Sequence, residues 1–295
     1  MTAPDIIFHI GAHKTATTHL QRSIGDRRDT LRDRGVAFFG PRDLRNDHPT
    51  LGQRFGIAPN GGRLVTGLQA MAERDRMLDG ASRLVLSEEN FVGGINNKSG
   101  RMSLPLYRDA QTRLTELVAK IAPQGMTLAL GIRHPAAITS SAYVQHLMAG
   151  GRTGVRRLRP HLDVAVVDWV DFLQRLAGVA GVSRLCVWRH EDYDRLFGQI
   201  TQLLLGDAAE GIEPIEGRVH MGLSQTAVEH INANLREEDI VAKARASFPV
   251  SDAHPAFSLF DAAEIAEADR LYAAQVRRIA DLPNVTLLTP PPSRT

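Results

Sequence analysis

A short segment near the start of the chain has the composition of a loop that binds phosphate. It combines a glycine, small or basic side chains and a run of hydroxyls, in the order Gly11, Ala12, His13, Lys14, Thr15, Ala16, Thr17, Thr18. An apolar run precedes it and a helical pattern follows it, so unpaired N–H groups at the helix start would point at a bound anion. The helix dipole and the charge of Lys14 would add to that attraction. The segment therefore predicts a site that holds the phosphate of a nucleotide donor.

Two adjacent carboxylates form a second group of reactive side chains. Glu88 and Glu89 follow the apolar run Leu84–Leu86 after one intervening serine, Ser87. Neighbouring side chains on an extended chain point in opposite directions, so we expect only one of the two to face a crevice at the end of this strand. Burial there would raise its pKa toward a value useful for a general base.

Composition indicates an ordinary globular chain. Of its 295 residues, 43% are hydrophobic and 23% are charged, and the net charge is +2. A nearly balanced charge argues against a general nucleic-acid binder. No stretch approaches the roughly 18 apolar residues that cross a bilayer, and Met1 to Asp5 does not begin an export signal. We expect a cytoplasmic protein without a transmembrane segment, formed as a single domain over residues 1–295.

The elements that must position these residues alternate between strand and helix. Apolar runs indicate strands at Asp5–Ile10, Val36–Phe39, Arg83–Leu86, Met126–Ile132 and Arg184–Trp188. Helical spacing occurs at Thr18–Arg34, Leu68–Leu78, Leu104–Ile121, Val164–Leu176 and Tyr193–Leu205, and Pro135 opens another helix. Alternation of this kind favours an α/β fold with a central, mainly parallel sheet of about five strands.

The last third of the chain has a different pattern. Ser224–Ala246 and Asp261–Ile279 show helical spacing, and Val285–Leu288 is a candidate last edge strand. We therefore divide the domain into a nucleotide-binding core, residues 1–205, and a helical C-terminal part, residues 206–295.

The loop resembles a known family more closely than it resembles a triphosphatase. A triphosphatase loop would place glycine before the lysine, where this chain has His13. His-Ile-Gly ahead of Lys-Thr-Ala-Thr-Thr instead resembles the 5′-phosphosulfate loop of sulfotransferases, in which glycine is commoner at the position of Ala16. Alanine lacks easy access to positive φ, so we expect right-handed or extended backbone there. The resemblance implies a P-loop-type fold in three layers, 3′-phosphoadenosine 5′-phosphosulfate (PAPS) as donor and adenosine 3′,5′-bisphosphate as product.

A second match follows the strongest predicted strand. Arg133 stands in Leu-Gly-Ile-Arg-His-Pro, and Ser141 follows eight residues later. Sulfotransferases clamp the donor's 3′-phosphate with an arginine and a serine at this spacing, so the resemblance assigns that role to Arg133 and Ser141. A strand's carboxyl end and the second turn of the next helix can both face one crevice. The remainder of the clamp has no assigned residues.

The acidic segment also resembles the family. Ser-Glu-Glu-Asn is similar to the Ser-Ser-Glu-Asn of bacterial sulfotransferases, with Glu89 at the glutamate position and Glu88 in place of the second serine. Glu89 is therefore the first choice for the catalytic base, and Glu88 is an alternative. His48 is a rival because histidine titrates near neutrality. A pair of solvated loop acids is the alternative interpretation.

Lys14 would neutralise charge on the leaving phosphate. Since sulfuryl transfer needs no magnesium and no His and Cys spacing suggests zinc, we expect no metal.

The acceptor is the least constrained part of this interpretation. The family branch implies a hydroxyl or amine on a carbohydrate or glycolipid, selected by the loops Arg42–Gly62 and Gly150–Pro160, and we expect no nucleic-acid partner. A P-loop kinase or ATPase that uses Mg-ATP is one alternative, with Leu84–Glu88 as a strand that ends in a metal-binding acid. A non-catalytic nucleotide-binding protein is another, and it would bind the donor product without turnover.

Overall fold

One parallel sheet forms the centre of the protein. The computed structural model describes residues 3–57, 65–217 and 222–291. Within them six strands have the order β2-β3-β1-β4-β5-β6, and every neighbouring pair is parallel. The strands are β1 (Asp5–His9), β2 (Val36–Phe39), β3 (Arg83–Ser87), β4 (Met126–Ile132), β5 (Val182–Arg189) and β6 (Val285–Leu287). The predicted α/β fold is confirmed, and the candidate edge strand is the sixth member of the sheet.

Helices fill the connections between the strands. Those before β4 are α1 (Thr17–Gly25), α2 (Arg28–Asp33), α3 (Pro41–Leu44), α4 (Leu51–Phe55), α5 (Gly67–Leu78) and α6 (Ala110–Ile121). Those after it are α7 (Pro135–Met148), α8 (Val155–Leu158), α9 (Trp169–Ala177), α10 (Tyr193–Leu205), α11 (Gln225–Ala233), α12 (Ile240–Ser247) and α13 (Ala262–Ala280). Among the described residues, no helix is both long enough and apolar enough to cross a membrane.

Alternating strand residues place the helices on both faces of the sheet. In β1, Phe8 belongs to a buried cluster with residues of α5, α6, α9 and α13, whereas its neighbour Ile7 belongs to a cluster with α1, α2 and α10. Leu84 and Val85 of β3 divide in the same way. Because successive strand side chains point to opposite faces, the strands are covered on both sides and read as continuous apolar runs. The result is the three-layer arrangement predicted from the sequence.

The C-terminal helices pack against α7. Tyr143 and Leu147 of α7 share a buried cluster with Ile231 of α11, Ala244 of α12 and Phe260. The longest helix, α13, also contacts α9 and β6. The helical C-terminal part is thus built onto the sheet through α7 and α13, while its grouping with the core as one domain stays a prediction.

Several predicted helices are shorter than their apolar spacing indicated. The expected helix Thr18–Arg34 is divided into α1 and α2, because the chain leaves helical geometry at Arg27. The expected helix Leu104–Ile121 begins only at Ala110, after Pro105, whose ring disfavours helical backbone in the residue before it.

Three further segments also differ from their predictions. Val164–Leu176 is divided where Asp168 caps α9 by accepting a hydrogen bond from the N–H of Asp171, and Ser224–Ala246 is divided into α11 and α12. Arg42–Gly62 was expected to be a plain loop, but α3 and α4 occupy part of it, and residues 58–62 lie outside the described residues.

The strand order creates a crevice at one edge of the sheet. The connection that leaves β1 runs to β2 on one side, whereas the connection that leaves its neighbour β4 runs to β5 on the other side. Where the connections of neighbouring strands diverge in this way, ligands bind outside the carboxyl ends of the strands. The phosphate-type loop follows β1 and Arg133 follows β4, while the acidic pair follows β3, the other neighbour of β1.

Candidate active site

The loop after β1 turns tightly by using left-handed backbone at three positions. Gly11, Lys14 and Ala16 have φ values of 49°, 68° and 65°. A side chain at Gly11 would place its Cβ 2.5 Å from Cγ2 of Thr17, so this position requires glycine. The expectation of right-handed or extended backbone at Ala16 is wrong. Tertiary contacts of the loop override a local preference that costs about 1–2 kcal/mol per non-glycine residue.

This strain gives a direct stability prediction. Replacing Ala16 with glycine removes the steric cost of left-handed backbone, so we expect Ala16→Gly to raise the free energy of unfolding by about 1 kcal/mol. Denaturant unfolding followed by circular dichroism measures it. The matched control is Ala12→Gly in the same loop, where glycine adds chain entropy and also removes a buried methyl group, so this variant should be destabilised by about 1–2 kcal/mol. A loss of stability in Ala16→Gly would contradict the prediction.

The end of β4 holds the loop from the other side. The N–H of Ile10 donates to the carbonyl of Ala129, and Nη1 of Arg133 donates to the carbonyl of Lys14 at 2.8 Å. Gly131 allows this approach, because a Cβ there would lie 3.0 Å from Cβ of Thr15. Burial and then the charge of Arg133 lower the pKa of Lys14, and Glu89 acts in the opposite direction. The two cations predicted to grip one nucleotide are therefore neighbours on the same edge of the sheet.

His13 is fixed on the side of the loop that faces the acids. Its ring stacks on Tyr107, whose hydroxyl lies 3.2 Å from Nδ1 and accepts the backbone N–H of His13 at 3.0 Å. Nε2 lies 3.2 Å from Oδ1 of Asn90. An amide oxygen only accepts, so Nε2 carries the proton and Nδ1 accepts from the tyrosine hydroxyl. Burial lowers the pKa of His13, which keeps the ring neutral in this arrangement.

The two carboxylates converge on one arginine, contrary to the sequence expectation. Arg45 donates through Nε and Nη2 to both oxygens of Glu88, at 2.7–3.1 Å, and its Nη2 lies 2.8 Å from Oε1 of Glu89. The expectation of opposite orientations is wrong because Glu89 begins a 3-10 helix, Glu89–Val92, instead of continuing the strand. Glu88 precedes that helix and also accepts the N–H of Asn90. The acids are buried, at 3% and 8% exposure, so they are not a solvated loop pair.

Glu89 has a side-chain donor on each oxygen. Arg45 contacts Oε1, and Nε2 of Gln21 donates to Oε2 at 3.0 Å. Burial acts to raise the pKa of Glu89, but the hydrogen bond and charge of Arg45, its own backbone and Gln21 outweigh burial and leave the pKa below its usual 4.5. The expected raised pKa is therefore wrong. The carboxylate is ionised at neutral pH and oriented, so it can accept a proton.

A chain of buried hydrogen bonds connects Gln21 to Ser87 and His9. Gln21 also donates to Oγ of Ser87 at 3.1 Å, and that oxygen lies 2.8 Å from Nδ1 of His9. Ser87 therefore links the amide of Gln21 to the ring of His9. Burial lowers the pKa of His9 to about 4, and the ring stacks on Trp188. His9 is thus a neutral core residue that helps to fix Ser87 and Gln21, and Gln21 in turn contacts Glu89.

The remaining predicted residues lie around this centre. Ser141 is half-buried in the second turn of α7, which begins just after Arg133. Thr17 is buried and Thr18 half-buried in the first turn of α1, while Oγ1 of Thr15 donates to the carbonyl of Ala12. His48 is exposed, in the turn where its N–H donates to the carbonyl of Arg45.

Sequence reasoning missed three residues of the site. Arg45 lay in a segment interpreted as an acceptor loop, and its role depends on contacts with residues far along the chain. Gln21 had a weak signal, since it is polar and follows directly on Leu20 on the buried side of α1. His190 follows directly on β5 and has no assigned role in the sequence interpretation. Burial and the charge of Arg133 lower its pKa, and the backbone of Thr15 lies within hydrogen-bonding reach of its ring.

Comparisons with known proteins give one structural similarity. The chain resembles the crystal structure of a sulfotransferase from Alicyclobacillus acidocaldarius at 15% sequence identity and a TM-score of 0.38, over 85% of this chain and 98% of that chain. No family model and no curated protein matches the sequence.

Proposed function

We propose that this protein is a sulfotransferase that transfers a sulfuryl group from PAPS to a hydroxyl or amine. One observation carries the proposal: Lys14, Arg133 and the ionised Glu89 meet at one edge of the sheet, with the guanidinium of Arg133 bonded to the backbone of the phosphate-type loop. Two cations suit a donor with two separate anionic groups. A carboxylate beside them suits removal of a proton from the acceptor.

The reaction assigns one task to each residue. The acceptor oxygen or nitrogen attacks the sulfur in line, its proton passes to Glu89, and the bond between sulfur and the bridging phosphate oxygen breaks. The bond electrons stay on that oxygen, and adenosine 3′,5′-bisphosphate leaves. Lys14 and the N–H groups at the start of α1 stabilise the charge on the 5′-phosphate. Arg133 and Ser141 bind the 3′-phosphate.

Contacts around the carboxylates support Glu89 over its rivals as the base. Glu88 is bonded to Nε and Nη2 of Arg45 and to the N–H of Asn90, so its role is to hold Arg45 in place. Glu89 lies against the loop: a Cβ atom added at Gly11 would be 3.4 Å from the Cβ of Glu89. His48 is exposed on the α3–α4 segment. Arg45 and Gln21 are positioning residues that orient Glu89.

The same contacts argue against a Mg-ATP enzyme. An acid that binds magnesium through its oxygens needs them available to the ion or to its water shell. Arg45 is bonded to both oxygens of Glu88, at the position where a triphosphatase would place its metal-binding acid. A non-catalytic binding protein would need neither an ionised Glu89 nor the side chains that orient it.

Nucleotide selectivity tests the proposal. We expect adenosine 3′,5′-bisphosphate to bind with micromolar or better affinity without magnesium, because both of its phosphates meet cationic side chains. ATP should bind at least tenfold more weakly, with or without the ion. Isothermal titration calorimetry of the full chain measures both ligands. Tighter binding of ATP that depends on magnesium would replace the sulfotransferase by the kinase or ATPase alternative.

A further inference from the structure

A cavity of about 210 Å³ lies beside the acidic pair, between the α3–α4 segment and the 3-10 helix Glu89–Val92. Its walls include the apolar side chains of Leu44, Leu51, Ile57 and Phe91. All four are buried by the fold, with exposures of 0–6%, so the walls are set by the core and not by surface loops alone.

The polar members of the wall join this cavity to the site. Arg45 and Glu88 line it, and Nη2 of Arg45 is also bonded to Glu89. Asn90 lines it as well and contacts Nε2 of His13, the residue before Lys14. A molecule that fills the cavity therefore ends one side chain away from both the proposed base and the phosphate-type loop.

Charge and size define what fits. Two cations, Arg45 and Arg113, line the cavity; Arg45 is paired with Glu88 and Glu89, and Arg113 lies 3.8 Å from Asp109, so the cavity has no excess positive charge to select an anion. Apolar walls favour an apolar group, whose transfer from water is favourable in proportion to the area buried. Since one water or methylene occupies about 30 Å³, the volume accommodates about seven such groups.

We propose that this cavity binds the apolar part of the acceptor, so that the substrate is an amphiphile that joins a hydroxyl or amine to an alkyl or aryl group of about six to seven carbons. The inference rests on the proposed sulfotransferase function and narrows its substrate class. It favours a glycolipid-like acceptor over a free sugar. The apolar group fills the cavity, and the hydroxyl emerges beside Arg45 and faces Glu89.

A series of alkyl β-D-glucosides tests the inference, because these probes share one sugar and differ only in chain length. The full chain is saturated with adenosine 3′,5′-bisphosphate, and glucoside binding is measured by calorimetry from methyl to decyl. We expect the affinity to rise two- to fourfold for each added methylene up to hexyl and to level off beyond about seven carbons. Equal affinity for methyl and hexyl glucoside, or a rise that continues without a plateau, would overturn the proposal.

Two variants locate the effect. Ile57→Trp fills the cavity and should reduce the preference for hexyl over methyl glucoside to less than threefold, while bisphosphate affinity within twofold of wild type shows that the protein is folded. Leu68→Ser is the matched control, since Leu68 is an apolar side chain that is 86% exposed and lies outside the cavity. It should keep the full preference. A preference that survives in Ile57→Trp, or is lost in Leu68→Ser, contradicts the cavity assignment.

The donor and acceptor results are independent. Failure of bisphosphate to bind wild-type protein would refute the proposed donor, and the same glucoside series without nucleotide would still report on the cavity. Bisphosphate binding combined with no chain-length dependence would leave the sulfotransferase proposal standing and refute the amphiphilic acceptor.

Discussion

Glu89→Gln should reduce turnover by about 10²–10⁴-fold, which is the usual contribution of a general base. Glutamine keeps the size of the side chain but cannot take the acceptor's proton. Binding of adenosine 3′,5′-bisphosphate should be unchanged or slightly tighter, because the substitution removes a negative charge beside the loop. Turnover is measured as release of the bisphosphate from PAPS with hexyl β-D-glucoside as acceptor, and binding by calorimetry.

Neighbouring variants separate the base from its support. His48→Ala should retain wild-type turnover, because His48 is exposed.

Arg45→Met should shift the acidic limb of the pH profile of kcat/KM to higher pH, since Arg45 is the main group that lowers the pKa of Glu89 against burial. The limb shifts to higher pH because activity requires the ionised carboxylate of Glu89 and is lost as the pH falls through its pKa, which rises when Arg45 is removed. Normal turnover in Glu89→Gln would transfer the role to Glu88 or His48.

Lys14→Ala should weaken binding of adenosine 3′,5′-bisphosphate by about 10- to 100-fold, the range expected when a charge-assisted hydrogen bond of about 1.5–3 kcal/mol is lost. Turnover should fall further, because charge on the leaving phosphate grows in the transition state. Calorimetry and steady-state kinetics measure the two effects. Lys14→Arg is the control: it retains the charge and should recover part of the binding. Equal affinity in wild type and Lys14→Ala would show that the loop does not hold the 5′-phosphate.

The fold was predictable because the strongest signals in the sequence have a simple physical origin. Strands of a parallel sheet that are covered on both faces must be apolar throughout, and β4 has that composition from Met126 to Ile132. Helix lengths were less predictable. Apolar spacing alone does not show where caps and turns interrupt a helix, as at Asp168.

The candidate site was predictable only where its residues form one local sequence pattern. Gly11 and Lys14 belong to one continuous loop, so their types and spacing carry the signal. Arg45 acquires its role through contacts with Glu88 and Glu89, which lie on a different strand connection, and no local pattern marks such a pairing. The backbone of Ala16 was predicted wrongly for a related reason: its conformation is set by the closure of the loop against β4 and not by the preference of alanine.

The central claim is that one adenosine nucleotide is held at its 5′ end by Lys14 and at its 3′ end by Arg133. The most direct test is the ratio of the dissociation constants of adenosine 5′-monophosphate and adenosine 3′,5′-bisphosphate, measured by calorimetry in wild type, Arg133→Ala and Lys14→Ala. We predict that wild type prefers the bisphosphate by about 10- to 100-fold, that Arg133→Ala loses this preference, and that Lys14→Ala binds both ligands more weakly but keeps the ratio. Equal binding of the two nucleotides by wild type, or an unchanged ratio in Arg133→Ala, would contradict the claim.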